Sequence, residues 1–229
     1  VLFCLLVSTT SQAFELITER VSDGVYALVG EIGPRSYDNH ALNNTQGFVV
    51  TEQGVLLVGS GATPSGARLI EQAVAQVSAL PIRWVVNIGS QDHHWLGNSY
   101  FADKGVQIIA LERTVQSQRA NMDDHLLRLK QVLKERATEV RPQFASPAIT
   151  ADRSSLKLGG QSFELIWPGK GHFDGDAILW LPEQGIVFSG DLVFHDRMLG
   201  IQSFTDLVAW QDSFHVMEAL SPDVVIPGH

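Results

Sequence analysis

The sequence predicts a single α/β (α+β) domain in which two β-sheet halves are each covered by helices. Three observations support this fold class. Period-two runs of apolar residues, typical of strands, occur in both halves of the chain, and the segments between them include runs with helical spacing. No polar linker separates the halves, so we expect one domain. A hydrophobic content of 45% over 229 residues is sufficient for a large core.

The first half begins as a meander of strands and then alternates helices with strands. Period-two alternation predicts four strands, at 16–18, 25–29, 47–51 and 55–58. Thr63 followed by Pro64 is typical of a helix start, and apolar residues at helical spacing predict a helix over 64–77. A β-rich run at 82–87 then leads into a loop that opens with Gly89.

A long amphipathic helix is predicted over 112–134, after a short strand at 107–110. Its apolar side consists of Val115, Met122, Leu126, Leu129 and Leu133. The same helix carries Asp123, Asp124 and His125, which we expect to form a solvated face.

The second half repeats the pattern with hairpins followed by a helix. The strands are predicted at 155–158, 162–167, 177–181 and 185–189. Thr205 is predicted to cap a helix over 206–220, and a last strand at 224–226 leads to His229. The helix has an apolar stripe that we expect to pack in the core, formed by Leu207, Trp210, Phe214 and Met217.

The first thirteen residues have the pattern of a secretory leader. An apolar run is followed by small and polar residues, and the segment ends Ser11-Gln12-Ala13, the small-x-small spacing of a signal-peptidase site. We therefore expect 1–13 to be part of a signal peptide, 14–229 to form the domain, and the protein to be secreted or periplasmic. A buried N-terminal strand and a lipid anchor on Cys4 are the weaker alternatives.

Composition limits the classes of partner and of catalytic group. The formal net charge is −9, with no run of lysine or arginine, so we expect no nucleic-acid partner. We also expect no membrane contact once the leader is removed, and a small molecule as the substrate. Cys4 is the only cysteine, so the predicted mature chain has no disulfide and no thiol nucleophile. Nothing in the sequence indicates an oligomeric state.

Side chains with metal-binding chemistry follow several of the predicted strands. They are Gln91, Asp92, His93 and His94 after the strand at 82–87, His172 after 162–167, Asp191 after 185–189, and His229 after 224–226. Loops that follow strands can converge at one edge of a sheet. Neutral imidazoles with a carboxylate suit zinc or a similar divalent ion. Each residue is weak evidence alone, and their joint occurrence predicts a metal site.

The motifs around these residues resemble those of the metallo-β-lactamase superfamily. The segments 171–176, 188–191 and 226–229 look like its Gly-His-Thr-x-Gly-Asp, Phe-x-Gly-Asp and Pro-Gly-His elements, in the same order and spacing. The segments 46–50 and 54–58 resemble its opening hairpin. The resemblance covers nearly all of 14–229 and implies a four-layer αβ/βα metallo-β-lactamase sandwich. It also implies that the chain continues beyond His229.

The sequence departs from the superfamily's first metal motif, His-x-His-x-Asp-His. Aligning Leu96-Gly97-Asn98 with the Gly-Asn that follows this motif places Gly89, Gln91, His93 and His94 on its four positions. A one-residue shift makes Asp92-His93 the Asp-His pair instead. In either register the two upstream ligands are missing, and Gly59 replaces a buried aspartate of the superfamily.

The resemblance implies which of the two metal positions survives. The first would have His172, Asp191 and at best Gln91, whose amide oxygen is a weak ligand. The second keeps His93 or His94, Asp191 and His229, and three such ligands plus water suffice for a catalytic zinc. We therefore favour one zinc ion, with two ions or none as alternatives.

Hydrolysis is the function that the resemblance implies. A metal-bound hydroxide would attack an ester, thioester or amide carbonyl, with Asp92 or Asp191 orienting the nucleophile. The alternative is a non-catalytic protein that uses the cleft to bind a small molecule or a partner. The replacements at positions 59, 89 and 91 favour this alternative.

Other polar or aromatic residues are weaker candidates for the site. Trp95, Tyr37 and the loop 30–44 could line its mouth, although packing in the core is at least as good an interpretation of Trp95. His40 is interpreted as a solvated loop residue. We interpret the remaining histidines as structural or surface residues: His125, His195 and His215.

Overall fold

The computed structural model describes residues 14–229, which form two mixed β-sheets with helices packed on them. The predicted leader, 1–13, lies outside the described residues. The first sheet has the strand order β1-β2-β3-β4-β5-β6. Its strands are β1 (Ile17–Ser22), β2 (Val25–Val29), β3 (Thr45–Thr51), β4 (Gly54–Val58), β5 (Ile82–Val86) and β6 (Gln107–Ile109). Pairing is antiparallel from β1 to β4 and parallel from β4 to β6.

The second sheet has the order β11-β10-β9-β8-β7. Its strands are β7 (Arg153–Leu158), β8 (Gln161–Ile166), β9 (Ile178–Leu181), β10 (Ile186–Gly190) and β11 (Val224–Pro227). Only the pair of β10 and β11 is parallel, and the other pairs are antiparallel hairpin neighbours. Because β10 and β11 run in the same direction, the residues that follow them emerge at the same edge.

Five α-helices occur in the described residues: α1 (Pro64–Val77), α2 (Asp92–Trp95), α3 (Asn98–Ala102), α4 (Glu112–Leu133) and α5 (Leu207–Glu218). A 3₁₀ turn (Lys134–Glu139) follows α4. The predicted start of α1 is confirmed, because the Thr63 side chain accepts a hydrogen bond from the Gly66 amide. The short helices α2 and α3 were predicted as loop. No helix in residues 14–229 is long and apolar enough to cross a bilayer.

Alternation along the strands divides the core into layers. Residues such as Val49, Leu56 and Phe188 pack between the two sheets. The neighbouring residues Phe48 and Leu57 point the other way, against α1 and α3. The outer face of the second sheet packs against Trp210 and Met217 of α5. This helix, sheet, sheet, helix order confirms the predicted αβ/βα sandwich, because a period of two gives each strand two buried faces.

Two helical predictions were wrong in detail. Asp206, not Thr205, caps α5: its carboxylate accepts from the amides of Val208 and Ala209. Thr205 instead accepts from the Gln202 amide through its hydroxyl. Of the predicted apolar stripe on α5, Leu207 is 49% exposed.

His125 was expected on the solvated face of α4 and is instead 1% exposed. Its ring contacts the ring of Phe173, with centroids 5.4 Å apart. The reason is that α4 is covered on two sides. One side packs against Trp95 and Leu96, and another meets the loop after β8, where the Thr114 hydroxyl donates to the Gly175 carbonyl. Asp123 and Asp124 are exposed, as predicted.

Candidate metal centre

The loops that follow β5, β10 and β11 meet at one edge of the sandwich. Asp191 follows β10 directly, and His229 ends the segment after β11. The two are neighbours because Gly190 and Gly228 approach closely: a Cβ on Gly228 would lie 2.4 Å from the carbonyl carbon of Gly190. The Gly228 amide donates to the Gly190 carbonyl at 2.8 Å. Any larger side chain at position 228 would therefore separate Asp191 from His229.

Asp191 is the centre of the histidine cluster and is fully buried. Its Oδ1 lies 2.9 Å from His94 Nε2 and 3.4 Å from His229 Nε2, and its Oδ2 lies 3.6 Å from His93 Nε2. Ligand atoms of His93, Asp191 and His229 all lie within 4.8 Å of one another. The structure thus brings together four of the residues predicted as ligands.

The chemistry of this cluster fits a single divalent ion. The buried atoms His93 Nε2, His94 Nε2 and Asp191 Oδ1 are close together, but none of them has a hydrogen bond of suitable geometry within residues 14–229. Buried polar atoms without partners are costly, and their convergence is what an ion coordinated by nitrogen and oxygen requires. His93, Asp191 and His229 are therefore the residues that would hold the ion, with His94 Nε2 beside them at 2.9 Å from Asp191 Oδ1.

The electrostatics of the cluster keep His93 and His229 neutral and Asp191 ionised. Burial, with a smaller contribution from Arg35, holds the pKa of His93 well below its usual value. Burial also lowers the pKa of His229 to about 4. For Asp191, burial alone would raise the pKa, but the charges of His94 and His229 outweigh it and hold the pKa well below its usual range. Neutral imidazoles and an ionised carboxylate are the forms that bind metals.

His94 has the opposite shift. Burial alone would lower its pKa, but the negative charge of Asp191 outweighs burial and raises it. A bound cation would reverse this balance, because it would compete with the proton for His94 Nε2.

On the opposite side of the cleft, the side-chain amide of Gln91 fills the space between His172 and Asp191. With its nitrogen facing the acceptors, Gln91 donates to His172 Nε2 at 3.3 Å and to Asp191 Oδ2 at 3.2 Å. Gln91 therefore separates His172 from Asp191, and the metal-capable triad does not include His172. A Cβ on Gly89 would lie 2.2 Å from His94 Cδ2, so the His94 ring occupies the space of a side chain at position 89.

Asp92 is buried, and its carboxylate pairs with Arg35. Arg35 Nη1 donates to Asp92 Oδ2 at 2.5 Å, and Nη2 lies 2.8 Å from His93 Nδ1. The Asp92 carboxylate thus faces a guanidinium group and not the triad. A direct catalytic role for Asp92 stays a prediction, and its present contacts position Arg35 and His93.

Arg35 was not predicted, since a single arginine in a polar loop has no distinguishing sequence pattern. It lines a cavity of about 440 Å³ above the histidine cluster, together with Arg128 of α4 and Arg197 of the loop after β10. Arg197 donates to the carbonyls of Glu31 and Gly33, and its Nη1 lies 3.2 Å from His229 Nδ1. The cavity is therefore rich in positive charge, although the chain as a whole is acidic.

Asp176 is a second residue whose role was not predicted, although it lies in the motif at 171–176. It is buried and accepts from the amides of Ser90 and Phe173, at 3.1 Å and 2.8 Å. Burial, together with the charge of Asp191, raises its pKa to about 7. Asp176 therefore connects the loop after β5 to the loop that carries His172.

Two side-chain amides hold α2 in place by donating hydrogen bonds to its backbone carbonyls. They lie near Gly59, which replaces the superfamily's aspartate. The Gln46 side chain donates to the His93 carbonyl at 3.1 Å, and the Asn87 side chain donates to the His94 carbonyl at 3.2 Å. A Cβ on Gly59 would lie 3.4 Å from Gln46 Cγ, so the Gln46 side chain lies beside the missing carboxylate's position. The amides of Gln46 and Asn87 hold the two histidines in place.

Of the features proposed for the cleft mouth, the loop 30–44 does line the cavity, through Pro34, Arg35 and Asn43. Trp95, Tyr37 and His40 have other contacts. Trp95 is fully buried, stacks on Phe144 and donates to the Ser90 carbonyl, so its core interpretation is confirmed. Tyr37 donates to Glu135 at 2.7 Å, away from the cavity lining. His40 is half-buried against the Ser65 hydroxyl and not fully solvated.

His195 and His215 are exposed at the surface, as predicted.

A family model described as the metallo-beta-lactamase superfamily matches residues 41–229. The chain belongs to the metallo-beta-lactamase superfamily. The match includes every residue of the histidine cluster but not Arg35. Superfamily membership confirms the resemblance inferred from the motifs.

Solved structures of this superfamily have the same fold at low sequence identity. A metallo-beta-lactamase from Pontibacter korlensis superposes with a TM-score of 0.70 at 20% identity, over 94% of this chain and 91% of that one. Metallo-beta-lactamase IND-7 superposes with a TM-score of 0.68 at 20% identity, over 95% and 92%. These similarities support the fold alone.

Curated relatives are equally distant. Metallo-beta-lactamase IND-1 of Chryseobacterium indologenes is 22% identical over 209 residues, 90% of this chain and 77% of that protein. The alpha subunit of 2,4-dinitroanisole O-demethylase from a Nocardioides species is 23% identical over 78% of this chain. The chain spans 50% of that subunit and 51% of the type 2 metallo-beta-lactamase of Bacteroides fragilis.

Proposed function

We propose that this protein is a mononuclear, zinc-dependent hydrolase that cleaves an ester, thioester or amide bond of a small molecule. The observation that carries the proposal is the convergence of His93, His94, Asp191 and His229 on one buried point beneath an open cavity. The names of the superfamily relatives support hydrolysis as the reaction class. The leader-like pattern of 1–13 supports secretion or a periplasmic location.

Each side chain of the cluster has a defined task in such a reaction. A divalent ion supplies Lewis acidity and a nucleophilic water near neutral pH. Asp191 stays ionised and can accept a hydrogen bond from the attacking water. Arg197 lines the cavity beside His229 and can stabilise negative charge that develops on the carbonyl oxygen.

The test is metal content by elemental analysis of the protein without residues 1–13. We expect about one zinc per chain, in line with the ligand set of a catalytic zinc. Asp191→Ala should bind none, because it removes the carboxylate that all three histidines face. The matched control is Asp174→Ala, since the Asp174 side chain is 67% exposed and its carboxylate lies 3.5 Å from Lys170 Nζ. Zinc-reconstituted protein that retains no metal would contradict the proposal.

Activity is then measured on ester, thioester and β-lactam substrates. In Asp191→Ala we expect hydrolysis to fall by roughly 10³-fold or more, as when a group essential to catalysis is removed. Asp174→Ala should match the wild type. Circular dichroism of both variants would separate loss of the site from loss of the fold.

The second candidate is a non-catalytic binding protein that uses the same cavity. It is favoured by the closed side of the cleft, where Gln91 and Arg35 hydrogen-bond in place of metal ligands. This candidate predicts no bound zinc and no hydrolysis, but a rise in the melting temperature with a small anionic ligand. The metal measurement separates the two candidates.

A further inference from the structure

The closed side of the cleft, next to Gln91, contains the positively charged side chain of Arg35. The Arg35 side chain is only 11% exposed. Its guanidinium contacts three consecutive side chains: Asp92 at 2.5 Å, the Nδ1 of His93 at 2.8 Å, and the amide oxygen of Gln91 at 2.8 Å. The positive charge therefore lies immediately beside the ligand cluster.

The fold holds Arg35 in this position. Its loop is fixed to the 3₁₀ turn after α4, because the Tyr37 hydroxyl donates to Glu135 and the Arg136 guanidinium lies 3.8 Å from the Tyr37 ring centroid. Within the loop, Asn39 is 1% exposed and donates to the Pro34 carbonyl at 3.1 Å. Arg35 is thus a preorganised group and not a mobile surface arginine.

The charges around Arg35 show what it does. Asp92 and Asp191 are both fully buried, so each requires a compensating positive charge. Asp191 faces the histidine cluster, where an ion would compensate it. Asp92 is compensated by Arg35. A second divalent ion among Gln91, His172 and Asp191 would meet the guanidinium as a like charge in a poorly solvated site.

The same contacts also fix the orientation of the Gln91 side-chain amide. Its oxygen accepts from Arg35, and its nitrogen donates towards His172 and Asp191. An ion in that place would need oxygen and nitrogen lone pairs, but it would face the N–H groups of the amide instead. Arg35 orients the amide in this way by binding its oxygen.

We propose that Arg35 takes the place of a second metal ion and restricts the centre to one. This inference rests on the proposed one-ion site at Asp191. Arg35 acts through Gln91 and Asp92 as a positioning residue. The consequence is that restoring a histidine ligand at position 91 does not by itself create a second site.

The experiment counts bound ions with equilibrium dialysis against zinc and with cobalt titration followed by absorption. The variants are Gln91→His alone, Gln91→His with Arg35→Gln, and Gln91→His with Arg35→Lys. We expect one ion for the first, two for the second and one for the third, because lysine retains the positive charge. Gln91→His with Arg128→Gln is the matched control, since Arg128 lines the same cavity, and it should bind one.

The stoichiometry decides the proposal, because a purely structural role of Arg35 would not change it. Two ions in Gln91→His alone, or one ion in a folded Gln91→His/Arg35→Gln protein, would overturn it. Zero ions in the wild type would refute the proposed hydrolase instead. In that case the role of Arg35 is supported if removing its charge allows zinc to bind, and it is refuted if zinc still does not bind. Metal-free Arg35→Gln, measured by thermal unfolding, should be less stable than metal-free Arg35→Lys.

Discussion

The two sides of the cleft start from the same architecture and differ in what fills them. On one side, His93, His94 and His229 surround Asp191, and the Nε2 atoms of His93 and His94 have no hydrogen-bond partner within residues 14–229. On the other side, His172 meets the amide of Gln91. Both sides consist of loops that follow strands. The difference teaches that the fold supplies the positions of a metal site, while individual side chains decide whether an ion or a hydrogen-bond network occupies them.

The largest expected effect is the difference in zinc affinity between two single variants, each of which lacks one histidine from one side of the cleft. His229→Ala should weaken zinc binding by more than about 100-fold, since the loss of even an outer partner of a ligand costs about 10- to 100-fold. His172→Ala should weaken it by less than about tenfold, because Gln91 separates His172 from Asp191. Isothermal titration with zinc measures both. Equal losses in the two variants would show that the sides are not distinct.

A smaller effect is expected at the point where the two sides touch. Gly89→Ala would put a Cβ 2.2 Å from His94 Cδ2, so the His94 ring must move. We expect a loss of about 1–3 kcal/mol in the free energy of unfolding, typical of overpacking, together with weaker zinc binding. Denaturant unfolding of the metal-free protein and zinc titration provide the two readouts.

Gly33→Ala is the matched control, because a Cβ at Gly33 has nothing within 4 Å. It lies in the Arg35 loop, and it should change neither stability nor zinc affinity beyond about 0.5 kcal/mol. If Gly89→Ala behaves like Gly33→Ala, the His94 ring does not depend on the missing side chain at position 89.

The smallest effect concerns the acid stability of the loop that carries Arg35. Burial, with the charge of Arg136, lowers the pKa of His40 to about 4 from an ordinary value near 6.5. The folded state therefore favours neutral His40. Its contribution to stability is complete above about pH 6.5 and is lost as the pH falls towards about 4, because the unfolded chain binds the proton first.

His40→Asn should therefore reduce the fall in melting temperature between pH 6.5 and pH 4 in the metal-free protein. Thermal unfolding at several pH values measures the slope. His215→Asn, at an exposed histidine of α5, is the control and should retain the wild-type slope. An unchanged slope in His40→Asn would mean that the Arg35 loop opens before His40 is protonated.

Most of the fold could be predicted because its signals are local. The strand patterns at 47–51 and 55–58 predicted β3 and β4, and Thr63-Pro64 predicted the start of α1. The errors arose where a tertiary contact decides the outcome. His125 looked solvated because the second surface against α4, at Phe173, is about 50 residues away in sequence.

The candidate site divides in the same way. Asp191 and His229 were predictable because motifs and strand ends mark them. Arg35 was not predictable, because its partners Asp92 and His93 are 57 and 58 residues away along the chain. The register of the segment 91–94 was also undecided by sequence, and the structure brings both His93 and His94 to Asp191.

The sequence by itself determined which elements form, in which order, and which residue types follow the strands. These properties depend on periodicity and on neighbours a few residues apart. Only the tertiary structure decided which of those residues share an ion-sized space and that a distant arginine enters the cleft. Such choices depend on the packing of loops from different strands, and the physical reason is that buried charges must be compensated by whichever partner the fold brings near.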